Sequence, residues 1–193
     1  MRVLVACEYS GRVRRAFRGR GHDAWSCDLL PADDGSEFHF QGDVFDIIGK
    51  GWDLMIAHPP CTDLAVSGAA WFKEKIADDR QQAALDFVQA LMDAPIDRIA
   101  IENPISVISS KIRKPDQIVQ PWMFGHPETK ATCLWLKNLP KLTATNDVGK
   151  MLQYLPKNLV QRLHYLPPSA DRWKLRSETY LGFADAMGEQ WGA

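Results

Sequence analysis

Cys61 lies within the stretch Trp52–Gly68, WDLMIAHPPCTDLAVSG, and is the side chain best placed to act as a nucleophile. Leu54–Ala57 reads as a buried strand; Pro59 and Pro60 then fix φ, remove two N–H donors and stop it. In an open α/β sheet, ligands gather outside the carboxyl ends of the strands, so a thiol at that point is positioned for chemistry. The bland alternative is a small buried hydrophobe, the usual state of a free cysteine. The thiolate is the reactive form, and at an ordinary pKa near ~8.5 only a few per cent of it is present at neutral pH. A working Cys61 therefore needs help from its surroundings.

Three polar turns fall at the ends of the early strands: Cys7-Glu8-Tyr9-Ser10-Gly11, Asp28-Leu29 and Gly42-Asp43-Val44. That layout suits a nucleotide-like cofactor. A glycine in the first turn lets backbone approach the ligand, and a carboxylate after the second strand can take two ribose hydroxyls. Asp43 could accept from an adenine amino group. Each signal is weak alone, since Glu8–Gly11 is no G-x-G-x-x-G and an Asp at a strand end commonly caps the next element.

The elements that must carry these residues alternate. Arg2–Cys7 reads as the first strand, Gly11–Gly19 as a short helix and Asp23–Leu29 as the second strand. Pro31–Phe40 is expected to be an acidic loop, followed by a turn at Gln41–Val44. Ala77–Met92 has apolar residues at helical spacing. Asp97–Ile101 is the next strand with Glu102-Asn103-Pro104 at its end, Ile118–Pro127 is expected to be irregular, and Ala131–Leu136 is a further strand. Asn138–Pro168 is rich in loops and prolines, and a helix is expected from Tyr180. This alternation implies an α/β fold, a mainly parallel sheet with helices on both faces.

Composition narrows the classes. A chain of 193 residues, 46% hydrophobic and 24% charged, is expected to form one domain (1–193) without disulfides or metal. No apolar run reaches the roughly 18 residues of a membrane span, and no signal-peptide pattern opens the chain, so no membrane partner is expected and a cytoplasmic location is. The four cysteines form no C-x-x-C pair, and His58 with Cys61 lacks a second ligand pair, so no metal site is expected. Net charge is −1, but Arg12, Arg14, Arg15, Arg18 and Arg20 form a local block, either a solvated helix face or a phosphate contact.

Taken together, VACEYSG (Val5–Gly11), CDLLP (Cys27–Pro31), GDV (Gly42–Val44), HPPC (His58–Cys61) and ENP (Glu102–Pro104) give the chain a resemblance to the DNA cytosine-C5 methyltransferases, specifically the small forms encoded by bacteriophages. The specific part is Pro-Cys followed about forty residues later by Glu-Asn-Pro. The resemblance implies a Rossmann-like class I methyltransferase fold, S-adenosyl-L-methionine as cofactor, DNA as partner and the cytoplasm of a bacterial host. It implies cofactor contacts from Cys7, Glu8, Ser10, Gly11, Asp28, Leu29, Asp43 and Val44, and catalytic roles for Cys61, Glu102, Asn103 and Lys130. Two departures stand out. TKATCLW (Thr129–Trp135), with Lys130 its only basic residue, replaces the family's arginine-bearing motif. Lys137–Trp173 is all that remains where the large target-recognition region would be.

The implied chemistry is covalent catalysis. Cytosine C5 is too weak a nucleophile to attack a sulfonium methyl, but a thiolate adding at C6 converts the ring to an enamine. Glu102 would protonate N3 if its pocket raises its pKa, Lys130 would donate to O2 or hold a phosphate, and Asn103 would more readily tie the turn together. The target base must flip out of a duplex or arrive single-stranded. Thr62–Ala70 would close over it, Trp71, Phe72 or Trp122 would stack, and the Gly11–Arg20 arginines would contact phosphates. Alternatives are a carboxylated donor recognised by Arg12, Lys130 or Arg176; an amino-group methyltransferase; and a catalytically silent module that binds DNA or the donor. Oligomeric state is not readable.

Overall fold

The computed structural model describes residues 1–193. Its centre is a seven-stranded sheet in the order β3-β2-β1-β4-β5-β7-β6. The strands are β1 (Arg2–Ala6), β2 (Asp23–Asp28), β3 (His39–Gln41), β4 (Leu54–Ala57), β5 (Arg98–Pro104), β6 (Gln117–Val119) and β7 (Thr132–Lys137). The first five are parallel, whereas β7 runs antiparallel to both β5 and β6. The expected α/β class and mainly parallel sheet are therefore what the chain forms. The inner strands are buried on both faces, which is why VLVA and LMIA are unbroken apolar runs rather than alternating ones.

Two helical layers cover the sheet. On one face α3 (Arg80–Met92) packs Leu85, Val88 and Leu91 onto Leu4, Met55 and Ile99. On the other, α1 (Arg12–Arg18) and α8 (Leu181–Trp191) pack Val13, Phe17, Phe183 and Met187 onto Val3, Val5 and Ile56. Gly188 lets α8 lie close to α1: a Cβ there would stand 3.0 Å from the Ala16 carbonyl oxygen, and the helices would have to part by a few tenths of an ångström. Smaller helices complete the chain: α2 (Phe72–Ala77), α4 (Ile108–Lys111), α5 (Lys157–Val160), α6 (Arg162–Tyr165) and α7 (Arg172–Ser177). No helix is long and apolar enough to cross a membrane.

Three local expectations are corrected. The acidic loop ends in a strand, β3, because His39–Gln41 pair in parallel with Ser26–Asp28. Ile118 belongs to edge strand β6 rather than to irregular chain. The helix expected over Ala77–Met92 is α3 and begins only at Arg80, because Asp79 takes a left-handed conformation with φ 58°; a separate helix, α2, ends at Ala77 just before it.

Candidate active site

Strand β4 lies between β1 and β5 and delivers the Pro-Pro turn to the carboxyl edge of the sheet. The chain stays in register through His58, whose N–H donates to the Ala6 carbonyl at 2.9 Å, and then the prolines turn it out. Cys61 is held by its own carbonyl, which accepts from Leu64 N at 3.1 Å and Ala65 N at 2.8 Å. It is the exposed cysteine of the four; Cys7 is half-buried, and Cys27 and Cys133 are buried. Desolvation and the nearby Glu102 carboxylate push the Cys61 thiol above its ordinary value, while Lys130 and Arg176 pull it back part of the way.

Glu102 reaches this turn from β5. The strand does not stop at Ile101 as expected, because β7 pairs with it through Glu102↔Leu134, Asn103↔Cys133 and Pro104↔Thr132. The Glu-Asn-Pro segment is thus extended chain inside the sheet. Asn103 is buried, and its Nδ2 donates to the Pro59 carbonyl at 2.8 Å, which ties β5 to the Cys61 turn. Glu102 Oε2 lies 3.0 Å from His58 Nδ1, both side chains nearly buried. Burial opposes ionisation of Glu102. The His58 hydrogen bond and charge, the Lys130 ammonium and the Thr132 hydroxyl outweigh it, so the carboxyl sits below its usual value. The expectation of a pocket that keeps Glu102 protonated is therefore corrected: these neighbours stabilise the anion. Lys130 Nζ donates to the carbonyls of Arg176 at 2.9 Å and Glu178 at 3.5 Å, which places its ammonium at the site while using part of its donor capacity.

A cleft of about 260 Å³ opens beside this turn. Of the residues expected to hold a cofactor, it is lined by Cys7, Asp28, Leu29, Asp43 and Val44. Gly42, of the turn already expected to face the cofactor, also lines it, as do Cys27, Pro60, Ala84 and Phe87, which were not assigned to the cofactor; Phe87 belongs to the apolar helical pattern of Ala77–Met92. Carboxylates at one side and apolar walls at the other suit a flat heterocycle joined to a hydroxylated sugar. Cys7 adopts φ 58°, an uncommon conformation for a non-glycine residue, at the turn leaving β1. Burial pushes its thiol well above the usual range, so it is a neutral wall. Glu8, Ser10 and Gly11 do not line the cleft. The Glu8 carboxylate accepts from Val13 N at 2.7 Å and Arg14 N at 3.3 Å, satisfying the first turn of α1. Ser10 Oγ donates to it at 3.3 Å. Gly11 takes φ +66° ahead of α1, where a side chain would collide with the Arg14 guanidinium.

The arginine block is used internally, which corrects the expectation of phosphate contacts there. Arg14 is 1% exposed, with Nη1 on Ser26 Oγ at 2.8 Å and Nη2 on Asp34 at 2.5 Å. Arg15 bonds the same carboxylate at 2.6 Å, Arg12 bonds Glu178 and the Thr179 carbonyl, and Arg18 stacks over Phe38. Positive charge also gathers elsewhere: residues 149–177 hold six Lys and Arg against a single acid, and although Arg162 pairs with Glu128 and Lys174 with Asp33, Lys150, Lys157, Arg172 and Arg176 form no ion pair. Tyr154, Tyr165 and Trp173 are exposed among them, and Trp71 is exposed in the segment after Cys61. The first half of that segment is pinned to the chain after β5, by Val66 N to Ile105 O at 3.0 Å and Val107 N to Leu64 O at 3.0 Å. Its outer half, Val66–Trp71, contains no buried residue. No group of three or more His, Cys, Asp or Glu side chains is gathered as metal ligands would be.

No family model matches the chain, and no curated protein sequence matches it. Solved structures do. The Entamoeba histolytica methyltransferase EhMeth aligns with 89% of the chain and 64% of its own length, at 17% identity and a TM-score of 0.55. A protein described as a DNA modification methyltransferase encoded within an E. coli prophage aligns with 70% of the chain and 46% of its own length, at 17% identity and a TM-score of 0.50. The chain thus spans between about half and two thirds of the length of these structures. At such identity the likeness concerns architecture, and with the seven-stranded sheet described above it establishes that the chain has the class I methyltransferase fold.

Proposed function

We propose that this protein transfers the methyl group of S-adenosyl-L-methionine to C5 of cytosine in DNA, with Cys61 as the attacking nucleophile. The observation that carries the reading is a convergence: one turn places Pro60 in the wall of the cleft and Cys61 beside Glu102, and Asn103 bonds that turn to the strand bearing Glu102. Thiol, carboxyl and cofactor-sized cleft therefore share a single rigid scaffold.

The cleft fits the donor. Asp28 would take the ribose hydroxyls, Asp43 and Val44 the adenine edge, and Leu29 and Phe87 the faces of the ring. Bound there, the donor supplies an electrophilic methyl group to C5; the remaining steps belong to the chain's own residues. The exposed Cys61 thiol gives up its proton to solvent and its sulfur bonds C6. The C5–C6 π bond opens, and negative charge builds toward N3 and O2. Glu102 faces that edge, and the Lys130 ammonium stabilises both the thiolate and the developing charge. When the C5 proton leaves to water, its bonding electrons restore the ring double bond and the C6–S bond breaks, returning the thiolate.

Residues 149–177 support nucleic acid as substrate. Lys150, Lys157, Arg172 and Arg176, which form no ion pair, match phosphates, and exposed aromatic rings among them suit unstacked bases. Val66–Trp71 is the segment placed to cover a base seated at Cys61.

The test is mass spectrometry of nucleosides from DNA incubated with the protein and methyl-labelled donor. Labelled 5-methylcytosine with the native chain, and none with Cys61→Ser, is the expected result. Label on an exocyclic amine that survives Cys61→Ser would contradict it, and a carboxymethyl product from a carboxylated donor would change the group transferred.

A further inference from the structure

His58 occupies a position that the reaction above does not use. It is the first residue beyond β4, with its backbone fixed by the Ala6 carbonyl and its ring only 10% exposed. Nδ1 contacts Glu102 Oε2 at 3.0 Å, while Nε2 is buried and has no hydrogen-bond partner. A histidine serving only as a strut usually has its second nitrogen bonded as well, which fixes tautomer and charge. Here Nδ1 holds the ring against the carboxyl, and no hydrogen bond accounts for the burial of Nε2. The chemistry proposed for the site supplies a need. Glu102 must deliver a proton to N3 when sulfur adds to C6, yet its surroundings favour the carboxylate.

We infer that His58 and Glu102 form a two-residue proton relay in which the imidazolium stores the proton that the carboxyl hands to cytosine. The relay rests on the reading of Cys61 as a nucleophile toward C6. As sulfur adds, the Nδ1–H bond breaks and an O–H bond forms on Glu102; that O–H then breaks as N3–H forms, leaving neutral imidazole beside carboxylate. Collapse of the adduct returns the proton by the reverse route, so no other reactant is consumed. The charged groups around the pair act in consistent directions. Lys130, next to β7, and His58 itself favour the Glu102 anion. Asp28, at the end of β2, feels the His58 charge in turn, and Cys61 on the same turn as His58 feels Glu102. His58 acts through Glu102 and is a positioning and proton-storing residue.

The relay has a kinetic signature that a structural role lacks. Thiolate increases with pH while imidazolium decreases, so wherever the stored proton is being lost the two trends cancel. In the native chain the single-turnover rate of adduct formation with 5-fluorocytosine DNA should climb about tenfold per pH unit at the acid end and then level off to a plateau. His58→Asn keeps an amide N–H in the place of Nδ1 but carries no titrating proton. Its rate should be lower at pH 6 and should keep climbing about tenfold per unit toward the thiol's range, without the plateau. His58→Gln, which also lacks a titrating proton, gives the same reading if the Asn variant folds poorly. Either variant showing the native plateau, at whatever absolute rate, overturns the relay while leaving the Cys61 reading intact. No adduct with the native chain overturns both.

Discussion

Asn103 Nδ2 donates to the Pro59 carbonyl at 2.8 Å, and this bond ties the turn after β4 to the neighbouring inner strand β5, the two segments on which the proposed chemistry depends. Asn103→Ala leaves a buried carbonyl unpaired, at a cost of about 1–3 kcal/mol, read as a shift in the denaturant midpoint at constant m. It also frees Cys61 to shift relative to Glu102, so single-turnover methyl transfer should fall on the order of 10²-fold with donor affinity little changed. Full activity in this variant would remove the bond from the account.

Cys61 reactivity should follow the charges that face it. Glu102 raises its thiol pKa and Lys130 and Arg176 lower it, both against a background of desolvation. At pH 8, alkylation of Cys61 by iodoacetamide should be faster in Glu102→Gln and slower in Lys130→Ala than in the native chain. Mass spectrometry of the labelled peptide keeps Cys61 separate from Cys27 and Cys133, whose thiols burial pushes to about 12 and about 11. Equal rates in all three proteins would mean that these side chains do not govern the thiol.

Asp28 should act on donor affinity alone. Burial raises its carboxyl above the ordinary value, with the Leu30 and Leu29 N–H groups and the His39 and His58 charges opposing. Asp28→Ala removes charge-assisted bonds to ribose worth about 1.5–3 kcal/mol, which corresponds to a roughly 10- to 100-fold weaker Kd by calorimetry. Turnover at saturating donor should hold. Because the carboxyl protonates above the usual aspartate range, native affinity should begin to fall at a higher pH than an exposed aspartate would dictate.

Asp34 tests the arginine block as structure. Burial opposes its ionisation, but hydrogen bonds from Arg14 and Arg15 and the Arg14 charge bring the carboxyl down to about 2 from 3.8. The sign follows directly: the folded value lies below the unfolded one, so the stabilisation is complete above the unfolded value and is lost as pH falls toward the folded one. Asp34→Asn strands the buried Arg14 guanidinium and should cost about 3–5 kcal/mol at pH 7, a difference from the native chain that narrows in strong acid. A variant as stable as the native chain at pH 7 would show that Arg14 finds another partner.

Much of the molecule was legible from local pattern. Unbroken apolar runs announced β1, β4 and β5, and two prolines announced the turn that bears Cys61. What escaped was decided by distant partners. β3 has three residues and exists because β2 offers it a register; Glu102 and Asn103 are strand residues because β7 extends the pairing. The arginines looked like a free basic face because Asp34 and Glu178, which bind three of the five, are remote in sequence. His58 and Glu102 are 44 residues apart, and nothing near either predicts their bond, yet it reverses the expected protonation of Glu102.

The most direct test of the central claim is covalent trapping. DNA containing 5-fluorocytosine cannot release the C5 substituent as a proton, so the Cys61–C6 bond persists once a methyl group has been added. With donor present, the native chain should yield a denaturation-resistant protein–DNA complex whose cross-linked peptide contains Cys61, and Cys61→Ser should yield none. A native chain that methylates cytosine C5 without forming this complex, or a complex mapped to any other residue, would contradict the account.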